Sequence, residues 1–96
     1  MLVGDASARD RLIAIAYDPI AKAGGALSET VETFLACGRS LELASRTMFV
    51  HANTVRYRLK KVTDLTDWDA LNTRDAHVLD TAFALGRLRD SSHAPL

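Results

Sequence analysis

Two apolar stripes of helical spacing stand back to back between Leu41 and Val62, separated by only a few residues, and this pairing constrains the fold more than any other feature of the chain. In the first stripe Leu41, Ala44, Ser45 and Met48 recur at i, i+3, i+4 and i+7. Ser40 precedes it where an N-cap belongs, and the small residues Ala44 and Ser45 let another helix cross closely. A second helix opens at about Ala52 and turns Val55, Leu59, Val62 and Leu65 to the core. Its opposite face holds Asn53, Arg56, Tyr57, Lys60 and Lys61. Phe49, Val50 and His51 leave room for a tight turn and nothing more.

The rest of the chain reads as helix too, because no segment alternates apolar and polar residues for long. A first helix is expected over Ala8 to Ala16, capped by Ser7 with Asp10 three positions on, and carrying Leu12, Ile13 and Ala16 inward. Asp18-Pro19 breaks or redirects it, since proline cannot continue the hydrogen-bond ladder. Gly24-Gly25 then marks a joint between an N-terminal arm, residues 1–25, and a compact unit, residues 26–89. In that unit Leu27, Val31, Phe34 and Leu35 form one face of a helix over Leu27 to Cys37, which Gly38 ends as a left-handed cap. A loop bearing Trp68 and Leu71, with Trp68 packed against the last helix, leads to Asn72. That residue caps a helix through about Arg89, with Asp75 at its third position and a broad apolar face of Val78, Leu79, Ala82, Phe83 and Leu85. Residues 90–96 read as a frayed tail. The expectation is an all-α bundle of about five helices in a single domain, as 96 residues dictate.

Charge points to a partner. Twelve Lys+Arg balance twelve Asp+Glu overall, yet residues 46–61 hold five basic side chains and no acidic one, which leaves a net of −5 on the remainder. A basic segment on an acidic body argues for an oriented polyanion-binding face. Two short helices joined by a tight turn, the second basic on its outer side, describe a helix-turn-helix. One helix fits a major groove about 12 Å wide while the other braces it across the backbone. The first turn of the second helix, His51-Ala52-Asn53-Thr54, bears only small or polar side chains, so phosphate can approach its free N–H groups.

At these residues the chain resembles a known family. GRSLELASRTMFVHANTVRYRLKKVTDLT is similar to the C-terminal helix-turn-helix domain of PucR/CdaR-type transcriptional regulators, above all in the run His51-x-Asn53-Thr54-Val55-Arg56-Tyr57-Arg58-Leu59. With the flanking helices the resemblance covers residues 26–89, about two-thirds of the chain. A more distant similarity runs to the Fis-type helix-turn-helix, through Thr-apolar-Arg and Leu59-Lys60-Lys61. The family resemblance implies promoter binding by a domain at the end of a longer regulator whose preceding domain senses a signal, with residues 1–23 as the tail of that domain. Three positions depart from the pattern. Phe49 stands where many such turns have glycine, and because aromatic residues tolerate positive φ poorly the turn is expected to take another shape. Asp67 replaces a glycine after the Leu-Thr step and still tolerates a left-handed cap. Ala52 replaces a long basic reader, so a bidentate guanine contact is lost there and only a thymine methyl is within its chemistry.

Role by role, Asn53 suits an adenine edge, Arg56 guanine O6/N7 or a phosphate, and Thr54 and His51 phosphate oxygens. Lys60 and Lys61 suit the DNA backbone, Tyr57 the sugar-phosphate, and Arg46 the flanking strand. Arg58 lies at the edge of the core stripe. The expected partner is double-stranded DNA, met by a homodimer whose contacts extend to regions outside this chain.

Other chemistries find no residues. Cys37 stands alone, so an internal disulfide and a cysteine zinc site are both excluded; it reads as a core or near-cap residue. His77 and His93 have no ligand-spaced companions, and Asp67, Asp69, Asp75 and Asp80 are not spaced as a calcium loop. Ser40 and Ser45 lack a histidine partner, so no enzyme, cofactor or metal is expected. No apolar run nears the roughly 20 residues of a membrane span and no signal peptide is evident, so the expectation is a cytoplasmic protein. The competing class is a helical interaction or dimerisation module without DNA binding of its own, built on surplus apolar surface at residues 76–88 and the N-terminal helix.

Overall fold

A computed structural model describes the backbone of residues 2–92 and the side chains of residues 8–91. Six helical segments follow one another: α1 (Leu2–Ala16), α2 (Asp18–Ala23), α3 (Gly25–Ala36), α4 (Leu41–Met48), α5 (Ala52–Thr66) and α6 (Thr73–Ser92), with no strand among the described residues. The expected all-α bundle is what forms. The segments α1 and α2 are one helix bent at Tyr17, whose φ of −111° and ψ of −54° keep it near the helical region. Pro19 causes the bend, and it falls in the first turn of α2, where its missing N–H costs nothing.

Helix ends follow local chemistry. Gly38 (φ 68°) closes α3 in a Schellman arrangement: its N–H donates to Leu35 O at 3.2 Å and that of Arg39 to Phe34 O at 2.9 Å. Asp67 takes the left-handed conformation (φ 66°) at the end of α5, as its side chain permits. Asn72 Oδ1 accepts from Asp75 N at 3.0 Å and so caps α6. The Asp75 carboxylate then reaches back to accept from Asp69 N at 3.0 Å, which ties the loop to the helix it precedes. Trp68 is partly buried against the core.

Three boundaries differ from the sequence expectation. Helix α1 begins at Leu2, so Ser7 lies inside it and is no N-cap; a capping residue permits a start but does not impose one, and nothing upstream forbids helix. Helix α3 starts two residues earlier than the apolar face alone suggests. Helix α6 runs on through Ser92, because Asp90 is held by a long-range bond; residues 93–96, including His93, lie outside the described residues.

One core joins all of this. Val31 and Phe34 of α3, Ala44 of α4, Val55, Leu59 and Val62 of α5, and Leu79, Ala82 and Phe83 of α6 are buried together with Ile13, Ala16, Tyr17 and Ile20. Ile13, Ala16, Tyr17 and Ile20 of the N-terminal arm therefore share the core of the unit that follows. At roughly 1.5–3 kcal/mol for each fully buried large apolar side chain, Ile13, Tyr17 and Ile20 contribute on the scale of a whole domain's net stability. Gly24 and Gly25 are a joint between helices that share a core, and Gly24 needs its glycine, with φ 130°. Leu79, Ala82 and Phe83 of the apolar face of α6 are taken up by this packing, where Tyr17 meets Phe83 edge to face at 5.0 Å, while Leu88 of α6 and Ile15 of α1 stay exposed. Leu65, expected in the buried stripe of α5, is 47% exposed. The stripe 55, 59, 62 continues at 66, and Thr66 takes that place with its hydroxyl bonded to Val62 O at 2.8 Å.

Candidate nucleic-acid interface

Ser40 starts the α4–turn–α5 unit by accepting a bond from Leu43 N at 3.1 Å, and Ala44 and Ser45 lie buried where α4 crosses its neighbours. The turn then corrects the sequence expectation. Phe49 adopts the left-handed conformation itself (φ 58°, ψ 42°), so the chain keeps the glycine-type turn with an aromatic residue in it. The strain of that conformation is about 1–2 kcal/mol for a residue with a Cβ. It is offset by two closing bonds, from Phe49 N to Arg46 O at 3.3 Å and from Val50 N to Ser45 O at 3.0 Å, and by Val50, which packs against the core. The Phe49 ring itself is 93% exposed.

His51 is the N-cap of α5. Its Nδ1 accepts from Asn53 N at 3.0 Å, and an accepting Nδ1 in a neutral imidazole places the proton on Nε2. The ring is exposed, so Nε2–H remains free to donate outward. Asn53 follows, exposed, with its Oδ1 accepting from Arg56 Nη1 at 3.3 Å. That contact orients the amide while leaving its NH₂ group and one oxygen lone pair unspent. Val55, Leu59 and Val62 hold the helix against the core, and they leave Arg56, Tyr57, Lys60 and Lys61 exposed on the other side.

Lys61 stands 5.8 Å from the centre of the Tyr57 ring, a cation–π contact on the surface. Thr54 and Arg58 are half-buried on a flank of the helix. Arg58 shares with Tyr57, Lys61, Asp64 and Leu65 a cleft of about 460 Å³ closed by Ala23 and Leu27, which agrees with its expected place at the edge of the stripe. Among the described residues Arg56, Arg58, Lys60 and Lys61 make no ion pair. Arg46 is paired with Glu42 at 3.2 Å one turn away on α4, both side chains exposed. Such a pair is worth about 0.5 kcal/mol at most, so phosphate can outbid the carboxylate. Sequence reasoning passed over Asp64, which is exposed one turn beyond Lys60 and bounds the basic face toward the C-terminal end of α5; its i+4 spacing from Lys60 was the available signal.

The nine residues singled out by sequence fall at different places on the α4–turn–α5 unit. Asn53, Arg56, Tyr57, Lys60 and Lys61 are exposed on α5; His51 is the exposed N-cap before it; Thr54 and Arg58 sit half-buried on its flank; Arg46 stands on α4. The N-terminal turn of α5 carries no acidic side chain to oppose the positive end of the helix dipole, while its Asn53 and Thr54 N–H groups are bonded to His51 Nδ1 and His51 O.

Comparison with known proteins agrees with this geometry. The PucR C-terminal helix-turn-helix domain family matches residues 27–85. Uncharacterized proteins of Mycobacterium tuberculosis and Mycobacterium bovis are 48% identical to the chain over 87 residues, which is 91% of this chain and 21% of theirs. A crystal structure of a regulator of polyketide synthase expression from Bifidobacterium adolescentis superposes with a TM-score of 0.84 at 46% identity, covering 93% of this chain and 36% of that one. The chain therefore spans about a fifth of the length of these curated relatives. A helical unit with a braced helix that exposes Arg56, Lys60 and Lys61 and carries no acidic side chain in its first turn is a DNA-binding domain of a transcription regulator. Within that class, the chain belongs to the PucR C-terminal helix-turn-helix family.

Proposed function

We propose that the chain binds double-stranded DNA in a sequence-specific manner by laying α5 in the major groove, with α4 braced across the backbone. The observation that carries this reading is the run of unpaired cations on the exposed face of α5, next to an N-terminus free of acidic side chains. Asn53, steadied by Arg56, reads an adenine edge, and Arg56 itself reaches guanine or a phosphate. His51 Nε2–H and the Thr54 hydroxyl donate to phosphate oxygens at the helix start, where the positive end of the helix dipole favours them. Lys60, Lys61 and Arg58 hold backbone, Tyr57 lies against a sugar-phosphate, and Arg46 exchanges Glu42 for the flanking strand. A pair of such domains would read half-sites about 34 Å apart, the two copies being joined through regions beyond this chain. The whole regulator acts in the cytoplasm, where its DNA is; no helix among the described residues is long and apolar enough to cross a membrane.

The test is fluorescence anisotropy on a labelled duplex of mixed sequence across a salt series, with Arg56→Ala/Lys60→Ala as the control. Affinity should fall log-linearly with salt at about −0.9 per phosphate contact, and the control should flatten the slope by up to about two contacts. Absence of binding at low salt by a folded helical domain would sink the reading and leave the interaction-module class, in which substitution of exposed apolar residues such as Leu43 would matter instead.

A further inference from the structure

The Phe49 side chain carries two costs and packs into no part of the core among the described residues. It occupies a left-handed conformation that side chains with a Cβ avoid, and its ring stands 93% exposed. Glycine or asparagine at this position would relieve the strain and remove the exposed apolar surface without disturbing the turn, whose closing bonds are both made by backbone. The ring is not among the side chains packed against the core. An observed backbone outlier that buries nothing is a reason to look for a partner outside the molecule.

The chemistry of the neighbourhood says which partner. Phe49 follows Arg46 by three residues and precedes the N-cap His51 by two, inside the one stretch of the chain with five basic side chains and no acidic one. Two peptide units span at most about 7.6 Å, so whatever docks on the N-terminal turn of α5 comes within reach of the ring. A partner drawn to this surface by charge is a polyanion. A polyanion with an apolar component at that spacing is duplex DNA, whose deoxyribose faces and thymine methyls lie beside the phosphates.

We propose that Phe49 is a DNA contact, its ring seated on the deoxyribose-phosphate edge or a thymine methyl at the rim of the groove that receives α5. This rests on the DNA-binding reading above and adds to it an apolar contact that the basic face does not contain. The left-handed turn is what holds the ring outward, so its strain is stored where the complex forms.

The experiment compares the wild-type chain with Phe49→Asn and Phe49→Trp by anisotropy on the same duplex and by thermal unfolding. Phe49→Asn should raise Tm by a few degrees while weakening Kd about fivefold to tenfold with the salt slope unchanged, since no charge is removed. Phe49→Trp should keep Kd within about twofold, because a larger ring replaces the first. Should Phe49→Asn unfold, Phe49→Gly takes its place, as glycine accepts the same backbone angles. Wild-type binding with Kd unchanged in the Asn and Gly variants overturns the proposal while leaving the DNA reading standing. Failure of the wild type to bind at any salt overturns both. Unchanged Kd together with concentration-dependent association of the wild type that the Asn variant loses assigns the ring to a second copy of this chain, and overturns the DNA contact as well.

Discussion

No Cβ fits between Gly86 and Tyr17: an added methyl would lie 2.4 Å from Cγ and Cδ2 of the ring. The contact places α1 and α6 together, and a set of polar bonds surrounds it. The Tyr17 hydroxyl donates to Asp90 at 2.7 Å, Arg89 forms a forked pair with Asp18 at 2.8 and 3.1 Å, and Arg87 forks onto Glu32 of α3. The guanidinium of Arg89 also stands 5.7 Å from the centre of the Tyr17 ring. In effect the N-terminal segment is bolted to the end of the chain.

Gly86→Ala tests that contact against helix propensity. In an isolated helix the change would stabilise by roughly 0.5–1 kcal/mol. Here overpacking against Tyr17 should reverse the sign, with a loss of about 1–3 kcal/mol and a Tm lower by about 4–8 °C per kcal/mol. A higher Tm in thermal unfolding would show that Tyr17 yields freely and that the contact is not fixed.

The Tyr17–Asp90 bond makes stability depend on pH from both sides. Burial, with Asp90 next, pushes the Tyr17 phenol above its usual value of 10.0, so the folded chain holds that proton more tightly; this contribution is present below pH 10 and lost as pH rises through the raised value. The Tyr17 hydroxyl first, and Arg89 second, hold the Asp90 carboxyl below its usual 3.8, so its contribution is present above that pH and lost as pH falls through the lowered value. Tyr17→Phe should lower Tm by about 2–4 °C between these limits and flatten both limbs of a Tm-against-pH curve. Limbs that persist unchanged in the variant would assign the pH dependence to other groups.

His51 is expected to have two separable roles. His51→Ser keeps an N-cap acceptor and should hold Tm within about 2 °C of wild type, while removal of the Nε2–H donor weakens DNA binding about threefold to tenfold. His51→Ala loses both, and should also cost about 1 kcal/mol of stability. Equal DNA affinity of wild type and the serine variant would remove the histidine from the interface.

Asn53→Ala should change specificity more than general affinity. Binding to mixed-sequence DNA at low salt should stay within about threefold. Discrimination at a single A·T pair, measured with a set of singly substituted duplexes around a selected site, should drop by about 1–3 kcal/mol. A uniform loss across all duplexes would instead make Asn53 a backbone contact.

How much of this was readable in advance depends on how far each residue's partners lie along the chain. The buried stripe Val55, Leu59, Val62 and the exposed set opposite it follow from the 3.6-residue period, and the caps at Ser40 and Asn72 from hydrogen bonds three residues long. Asp67 was legible for the same reason, since its left-handed cap needs only its own side chain and backbone. Leu65 was misread because period alone does not say where a stripe ends: only the packed neighbours show that Thr66 takes the next place. At Phe49 a local rule was overruled by the turn's two backbone bonds and the packing of half-buried Val50 against the core, which together hold a strained residue in place.

Tyr17 carried no mark in sequence. Its partners Gly86 and Asp90 are about seventy residues away, and an aromatic residue one position before an Asp-Pro step reads as a loop residue until α6 is laid against it. By itself, then, the amino-acid order determined every helical segment but α2, most of their ends and the basic outer face of α5, because each of these depends on residues within one or two turns of each other. The closing of α1 and α2 onto α6, the burial of Ile13, Ala16, Tyr17 and Ile20 and the exposure of Leu65 were decided only by tertiary structure. Those outcomes rest on burial and polar pairing between distant segments, energies that do not exist until the core has brought the segments together.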